Sequence, residues 1–306
     1  MEDYNKIIES LGIKYNKSKN IKIIQPVSND NYYDVENTIF IVHHGQLRYG
    51  VENQVVNKDE VLLVPGGKSI SISYGDVNFS TVSKEKMISR KESFLQSINY
   101  SEITNTTQEN FSYITFEAKV FDSVNFFASL DIPPFIIKNQ KVNELIYEIL
   151  EESESGSAGH ERIVKALTEF LVVEITRYII DNQLFVEQLA TNITYFKDPR
   201  LIDIFTYIKE NLQGDLSNKV LSNVANVSED YVGQYFKMLT GINPQDYIEY
   251  QRMEMAVNML RTSKKSIREI GKEVGYKDTA YFCRRFKMMF GIPAGKMRRR
   301  ESLMNI

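Results

Sequence analysis

Between Val220 and Ile292 the chain repeats itself at an offset of 50 residues, and no other feature constrains its fold as much. Val224 pairs with Val274, Tyr231 with Tyr281, Phe236 with Phe286, Lys237 with Lys287, Met238 with Met288, Gly241 with Gly291 and Ile242 with Ile292. A fixed period of this length marks a duplicated supersecondary unit, because each copy buries the same apolar stripe. Each copy reads as a short helix, a tight break and a capped longer helix. In the first, a helix near Lys219 to Ala225 breaks at Asn226-Val227, and Ser228 caps a helix that reaches Thr240 and is closed by Gly241. In the second, Ser266 caps a helix over Ile267, Ile270 and Val274, and Gly275 makes the turn. Asp278 then caps a helix over Tyr281, Phe282, Phe286 and Met289, closed by Gly291. Phe236, Phe286, Tyr231 and Tyr281 all fall within the repeated apolar pattern and are expected in the core.

Short helix, turn and capped longer helix form a helix-turn-helix signature, in which the second helix enters the major groove of DNA. A helix capped by Asp198 and opened by Pro199 precedes the repeat, carrying Leu201, Ile204, Phe205, Ile208 and Leu212 before it stops at Gly214. The two copies are joined by a segment from about Asp246 to Arg261 with Met253, Ala256, Val257 and Leu260 at helical spacing. Its length predicts a strut of ~22 Å, which sets two reading heads near one DNA turn, ~34 Å, apart.

Charge divides the chain in the same place. Residues 1–197 hold 19 Lys+Arg against 27 Asp+Glu, a net −8, whereas residues 198–306 hold 18 against 13, a net +5. A basic module on an acidic body fits a polyanion partner; an ordinary solvated helix face has the same composition. Cys283 is the only cysteine, so no disulfide forms within one chain, and no Cys/His cluster has zinc spacing. The start, Met1-Glu2-Asp3-Tyr4, is acidic where a signal peptide is basic, and no apolar run approaches ~18 residues. The expectation is a soluble cytoplasmic protein with no membrane partner and no cofactor.

From about residue 20 to 120 the pattern changes to period two and short apolar runs. Ile39-Phe40-Ile41-Val42 stops at Gly45, Leu47 to Val51 precedes turns at Asn53 and Asn57-Lys58-Asp59, and Val61 to Val64 stops at Pro65-Gly66-Gly67. Ile70 to Tyr74 alternates strictly before Gly75-Asp76. Short strands at this spacing suggest a sandwich or small barrel, whose interior can hold a small molecule. After Pro133-Pro134 the period is helical: Val142, Leu145, Ile146, Ile149 and Leu150 share one stripe. Beyond a break from Glu151 to Gly159, a second helix over 161–181 is apolar on more than one side, with Ile163, Ala166, Leu167, Phe170, Leu171, Val173, Ile175, Tyr178 and Ile179. The excess apolar surface needs either a second copy of the chain or a deeply buried position.

The string from Ile267 through Val274-Gly275-Tyr276, Asp278, Tyr281-Phe282, Arg284 and Phe286-Lys287 to Gly291-Ile292-Pro293 and Arg298 resembles the DNA-binding domain of the AraC/XylS family of bacterial transcription regulators. The first copy adds Ser228, Tyr231, Phe236-Lys237, Gly241, Pro244 and Tyr247, and the resemblance covers a third of the chain. Gly271 stands where the family usually has alanine, Ala294 takes a common proline position and Met297 replaces a usual aromatic; these departures bear on packing. By family geometry the base-edge positions are Asp230, Gly233 and Gln234 in the first unit and Thr279, Ala280, Cys283 and Arg284 in the second. Arg284 suits guanine, Gln234 adenine, and Ala280 or Thr279 a thymine methyl. Lys237, Lys277, Arg285, Lys287 and Arg298 to Arg300 are read as phosphate contacts. Glu229 and Asp230 repel phosphate, which makes the first unit the weaker binder.

With that resemblance, residues 20–120 look like the cupin-like sensor barrel that many such regulators carry. A metal-dependent cupin enzyme is the alternative, and it is disfavoured: His43 and His44 are adjacent and point to opposite faces of a strand, and no third ligand histidine follows the Pro65-Gly66 turn, His160 lying beyond the strands. The expected fold class is α+β multidomain. Residues 1–135 form a cupin-like β barrel, 136–182 a helical dimerisation segment, 183–198 a linker and 199–302 an all-α domain with two helix-turn-helix motifs at about 217–240 and 266–290. The partners expected are double-stranded DNA, a second copy of the chain, a small-molecule effector and RNA polymerase. The expected function is a sequence-specific transcription regulator rather than an enzyme.

Overall fold

The computed structural model describes residues 5, 8–9, 11–75, 80–81, 93–120, 124–129, 132–189, 198–240, 243–290 and 293–298. Gly241, Ile242, Gly291, Ile292, Arg299, Arg300 and residues 190–197 of the expected linker lie outside the described residues. The chain divides into two compact units, Met1–Gln188 and Leu189–Ile306. The first is rich in sheet and the second is helical.

The first unit opens with β1 (Leu11–Ile23), which begins earlier than the expected onset of strands near residue 20. There follow β2 (Val27–Tyr33), β3 (Asn37–His44), β4 (Leu47–Tyr49), β5 (Gln54–Val56), β6 (Val61–Val64), β7 (Ser69–Tyr74), β8 (Ser80–Thr81) and β9 (Leu95–Ile98). Next come helix α1 (Tyr100–Asn105), β10 (Asn110–Val120), β11 (Val124–Asn125), helix α2 (Phe126–Ser129) and β12 (Phe135–Ile137). One sheet has the order β12-β6-β3-β10-β1-β9, with β11 also on β10; the other runs β5-β4-β7-β2-β8. β2 and β8 pair in parallel.

A single apolar core joins the two sheets. Phe40, Val42, Leu62, Val64 and Phe111 of the larger sheet meet Val27, Tyr32, Leu47, Tyr49, Ile72 and Tyr74 of the smaller. The Tyr32 ring meets Phe40 edge-on at 5.5 Å, and Tyr74 stacks on Phe111 at 5.1 Å. Every residue of β3 from Asn37 to His43 is buried, because this central strand is covered on both faces. Its even-numbered side chains enter the core between the sheets. Its odd-numbered side chains, Ile39, Ile41 and His43, face the opposite side of the sheet.

A helix closes that opposite side. α3 (Gln140–Glu154) buries Val142, Leu145, Ile146, Ile149 and Leu150, and Asn139 caps it by accepting from the Val142 N–H. Polar contacts fix its position: Ser153 Oγ to Ser18 Oγ at 2.9 Å, Glu154 Oε1 to Asn20 Nδ2 at 2.8 Å, and Asn143 Nδ2 to the Asp59 carbonyl at 2.7 Å. Beneath it the His43 ring meets Ser112 Oγ through Nε2 at 2.7 Å and the Tyr147 hydroxyl through Nδ1 at 3.1 Å. Ser112 donates its one proton to Asn20 Oδ1, so it accepts from His43 Nε2–H, which fixes the tautomer. Nδ1 then carries no proton, and the Tyr147 hydroxyl has one proton for two acceptors, Nδ1 and Asp59 Oδ1, each at 3.1 Å.

α4 (His160–Asp181) has two apolar faces. Val164, Leu171, Val172, Ile175 and Ile179 are buried with Thr168 and Thr176, whose hydroxyls donate back to the Val164 and Val172 carbonyls. Ile163 and Phe170 remain 47% and 41% exposed. The broad apolar pattern in the sequence thus separates into a packed face and an open one.

The second unit contains α5 (Pro199–Glu210), α6 (Asn218–Ala225), α7 (Glu229–Thr240), α8 (Pro244–Thr262), α9 (Ile267–Glu273) and α10 (Thr279–Phe290). α7 and α10 are each 12 residues long and stand 50 residues apart in sequence. α8 has 19 residues, longer than the sequence suggests, because Asn243 and Pro244 start it two residues earlier; its axial length is ~28 Å. Two aromatic clusters flank it. Phe205, Phe236 and Tyr247 meet at 5.1 to 5.7 Å on one side, and Tyr276, Phe282, Phe286 and Phe290 form a chain of ring contacts on the other. Among the described residues no helix is long and apolar enough to cross a membrane.

Candidate nucleic-acid interface

The two copies make their turns by different chemistry. α6 ends at Asn226, which takes a left-handed conformation at φ 53°, one that asparagine adopts more readily than most residues. α9 ends with Val274 followed by Gly275 at φ 91°, where a Cβ would stand 2.6 Å from the Leu212 carbonyl oxygen. Gly275 is therefore fixed twice, by its backbone angle and by the close approach of another segment.

Side-chain caps start both helices of the second copy. Asp278 Oδ1 accepts from the Tyr281 N–H at 2.5 Å at the head of α10. At α9, Ser266 and Glu269 form a reciprocal capping box. α9 meets α10 where Gly271 faces Phe282. A Cβ on Gly271 would lie 3.2 Å from the Phe282 ring, so an alanine there requires the ring to give by a few tenths of an ångström.

On each longer helix one face is buried and the opposite face is open. α7 buries Val232, Tyr235 and Phe236, while Asp230, Gln234 and Lys237 are exposed and Gly233 is half-buried. α10 buries Phe282, Phe286 and Phe290, while Ala280, Arg284 and Lys287 are exposed, and Thr279 and Cys283 are half-buried. The structure thus brings together Asp230, Gly233, Gln234 and Lys237 on one helix face and Ala280, Cys283, Arg284 and Lys287 on the other, at i, i+3, i+4 and i+7. Lys277 is exposed on the loop between Gly275 and Asp278.

Two expectations need correction, for the two tyrosines and for Arg285. Tyr231 and Tyr281 are not core residues: they are 43% and 48% exposed. Each lies about 100° around the helix from its buried neighbour, Val232 or Phe282, so the ring is only half covered. Arg285 is not free for phosphate, because its Nε donates to Glu249 Oε1 at 2.5 Å and its Nη2 to Glu249 Oε2. Arg298 Nη2 donates to the Lys265 carbonyl, which holds this side chain against the start of the second copy.

The sequence pattern did not single out Glu249 and Arg252, which share one face of α8. Arg252 donates to the Leu212 carbonyl at 2.9 Å and the Gly214 carbonyl at 3.1 Å. The signal available was an acidic and a basic residue at i, i+3 inside an otherwise packing helix. Among the described residues no group of three or more His, Cys, Asp or Glu side chains is placed to hold a metal ion.

A family model described as a helix-turn-helix domain matches residues 221–300. An HTH-type transcriptional regulator of Haemophilus influenzae is 26% identical over 162 residues, 53% of each chain, so the chain spans about half the length of that relative. The transposon Tn10 TetD protein of Escherichia coli is 30% identical over 114 residues, 37% of this chain and 83% of TetD. In three dimensions the chain is similar to ToxT of Vibrio cholerae, with a TM-score of 0.54, 11% identity and coverage of 95% of this chain and 98% of ToxT. At that identity the likeness concerns the fold alone, a sheet-rich first unit followed by a helical second one.

Proposed function

The chain belongs to the AraC/XylS family of bacterial transcription regulators, and we propose that it is a sequence-specific DNA-binding regulator that reads two successive major-groove segments with α7 and α10. The observation that carries this reading is the pair of open faces, 50 residues apart, each backed by buried aromatic rings and lined by short or hydrogen-bonding side chains. In it Arg284 and Gln234 supply the direct base contacts, Asp230, Gly233, Thr279, Ala280 and Cys283 shape the two surfaces, and Lys237, Lys277, Lys287 and Arg298 to Arg300 meet phosphate. The first unit is residues 217–240, the second 266–290, and both sit within residues 199–302.

The proposal extends to the N-terminal unit. Residues 1–135 act as the cupin-like sensor, residues 136–182 as the dimerisation segment and 183–198 as the linker. Support for dimerisation is the open face of α4, where Ile163, Ala166, Leu167 and Phe170 recur at helical spacing. An effector in the sensor unit and a contact with RNA polymerase rest on family membership alone. A metal-dependent enzyme is opposed by His43, whose Nε2–H is donated to Ser112 Oγ.

Hydroxyl-radical footprinting tests the reading on a duplex enriched from random DNA by the full chain. Each chain is expected to protect two short segments about one turn, ~10 bp, apart. Failure to enrich any duplex, or a single protected segment, contradicts it.

A further inference from the structure

The two halves of the helical unit are joined by more than the α8 strut. From the first half, the chain leaving α5 presents the Leu212 and Gly214 carbonyls, in the stretch where helix-end carbonyls lack partners. Arg252, from the middle of α8, takes both with one planar guanidinium. From the second half, Gly275 packs against the same place, with its Cβ position 2.6 Å from the Leu212 oxygen and 2.9 Å from the guanidinium carbon. The Tyr276 ring lies 6.0 Å below that guanidinium, and its hydroxyl reaches Glu249 Oε1 at 3.3 Å. Glu249 in turn binds Arg285 of α10 through both carboxylate oxygens. A continuous polar chain therefore runs from the end of α5, across α8, to α10.

We propose that Arg252 and Glu249 form a bracket that fixes the angle between the two reading helices and so sets the spacing of the DNA segments the chain accepts. The spacing part rests on the DNA-binding reading; the bracket itself does not. α8 holds the halves at a set distance along its axis, and the bracket adds a second, lateral tie between them. Arg252, Gly275 and Tyr276 line a cleft of about 910 Å³ that also touches Asp215, Ser217, Gln245, Lys272 and Lys277. The halves are thus not flush, and loss of the bracket leaves them room to move. Spacing matters because inserting one base pair turns the second segment by about 34° relative to the first. Arg252 and Glu249 are positioning residues: neither belongs to an open reading face.

Two readouts on the full chain separate the parts of this proposal. Met238 and Met288 are 61% and 72% exposed and occupy equivalent places in the two copies, so they suit paired spin labels once Cys283 is replaced by serine. In the labelled protein without DNA, one narrow distance is expected, broadened at least twofold by Arg252→Met and by Glu249→Gln. Arg252→Lys is expected to behave like the methionine variant, because one ammonium does not reproduce a planar fork on two carbonyls. On an enriched duplex, the unsubstituted chain is expected to lose at least tenfold in affinity when one base pair is inserted between the protected segments. In the bracket variants that loss falls below threefold. An unchanged distance distribution in folded variants overturns the bracket. A broadened distribution with unchanged spacing preference overturns its role in DNA recognition. If Arg252→Met does not fold, Glu249→Gln decides the same question. A chain that enriches no duplex contradicts the DNA reading, while the distance measurement still judges the bracket.

Discussion

Arg284 and Arg285 are neighbours on α10, yet the first projects into solvent 5.9 Å above the Tyr281 ring while the second is held by Glu249. Replacing each by alanine is expected to separate reading from support. Arg284→Ala should cost roughly 1–3 kcal/mol on the preferred duplex and relax the choice at one base position; equal affinity for all four bases in the unsubstituted chain would remove it as a reader. Arg285→Ala should leave base preference intact and lower the melting temperature instead. A second residue-scale effect concerns pH. Burial, then the nearby His44 and Lys58, lowers the His43 pKa from its ordinary 6.5 to about 4. Folding therefore keeps the ring neutral while the unfolded chain still takes up a proton. Stability from this group is full above about pH 6.5, declines as pH falls toward 4, and is constant below, a total of about 3 kcal/mol. Hydrogen exchange of the β3 amides, corrected for intrinsic rate, should lose protection across that window, and His43→Gln should flatten the loss. The same slope in the variant would show that another group titrates there.

At the scale of elements, α4 carries the clearest unspent surface. Lys141 lies 5.6 Å over the Phe170 ring, so that ring is partly covered from within the unit, while Ile163 is not. Ile163→Glu with Phe170→Glu is expected to convert a dimeric chain to a monomer without loss of helix content, as measured by sedimentation velocity and circular dichroism. A single sedimenting species of dimer mass in that double variant would place the interface elsewhere. Elements were legible in the sequence where local chemistry is complete. The Asp198-Pro199 start of α5, the Ser266 cap of α9 and the Gly275 turn are written in three or four adjacent residues. The onset of β1 at Leu11 was not, because Lys14, Lys17, Lys19 and Lys22 interrupt its alternation, and what makes it a strand is pairing with β10 and β9. The half-exposed Tyr231 and Tyr281 misled for the opposite reason. A helical pattern marks which residues are apolar, and the width of the covering neighbour decides which of them are covered.

Across the whole molecule, the duplication is a repeat of scaffold and not of surface. Phe236 and Phe286 are both fully buried, whereas Gln234 and Arg284, at equivalent places, offer different chemistry to DNA. The sequence carried this much, together with the basic second half. It did not carry the link between the copies, since Glu249 and Arg252 look like solvated charges until Leu212, Gly275 and Arg285 are brought to them by the fold. On the proposed reading, two unlike helices make an asymmetric site per chain, and α7, which opens with Glu229 and Asp230, is expected to grip it less strongly than α10. The most direct test of DNA binding as the central function is the salt dependence of affinity for an enriched duplex. With about five or six phosphates neutralised per chain, log K against log salt concentration should fall with a slope near −5. A flat plot between 50 and 200 mM salt, a range over which ~5 released ions change affinity by roughly a thousandfold, would contradict the account.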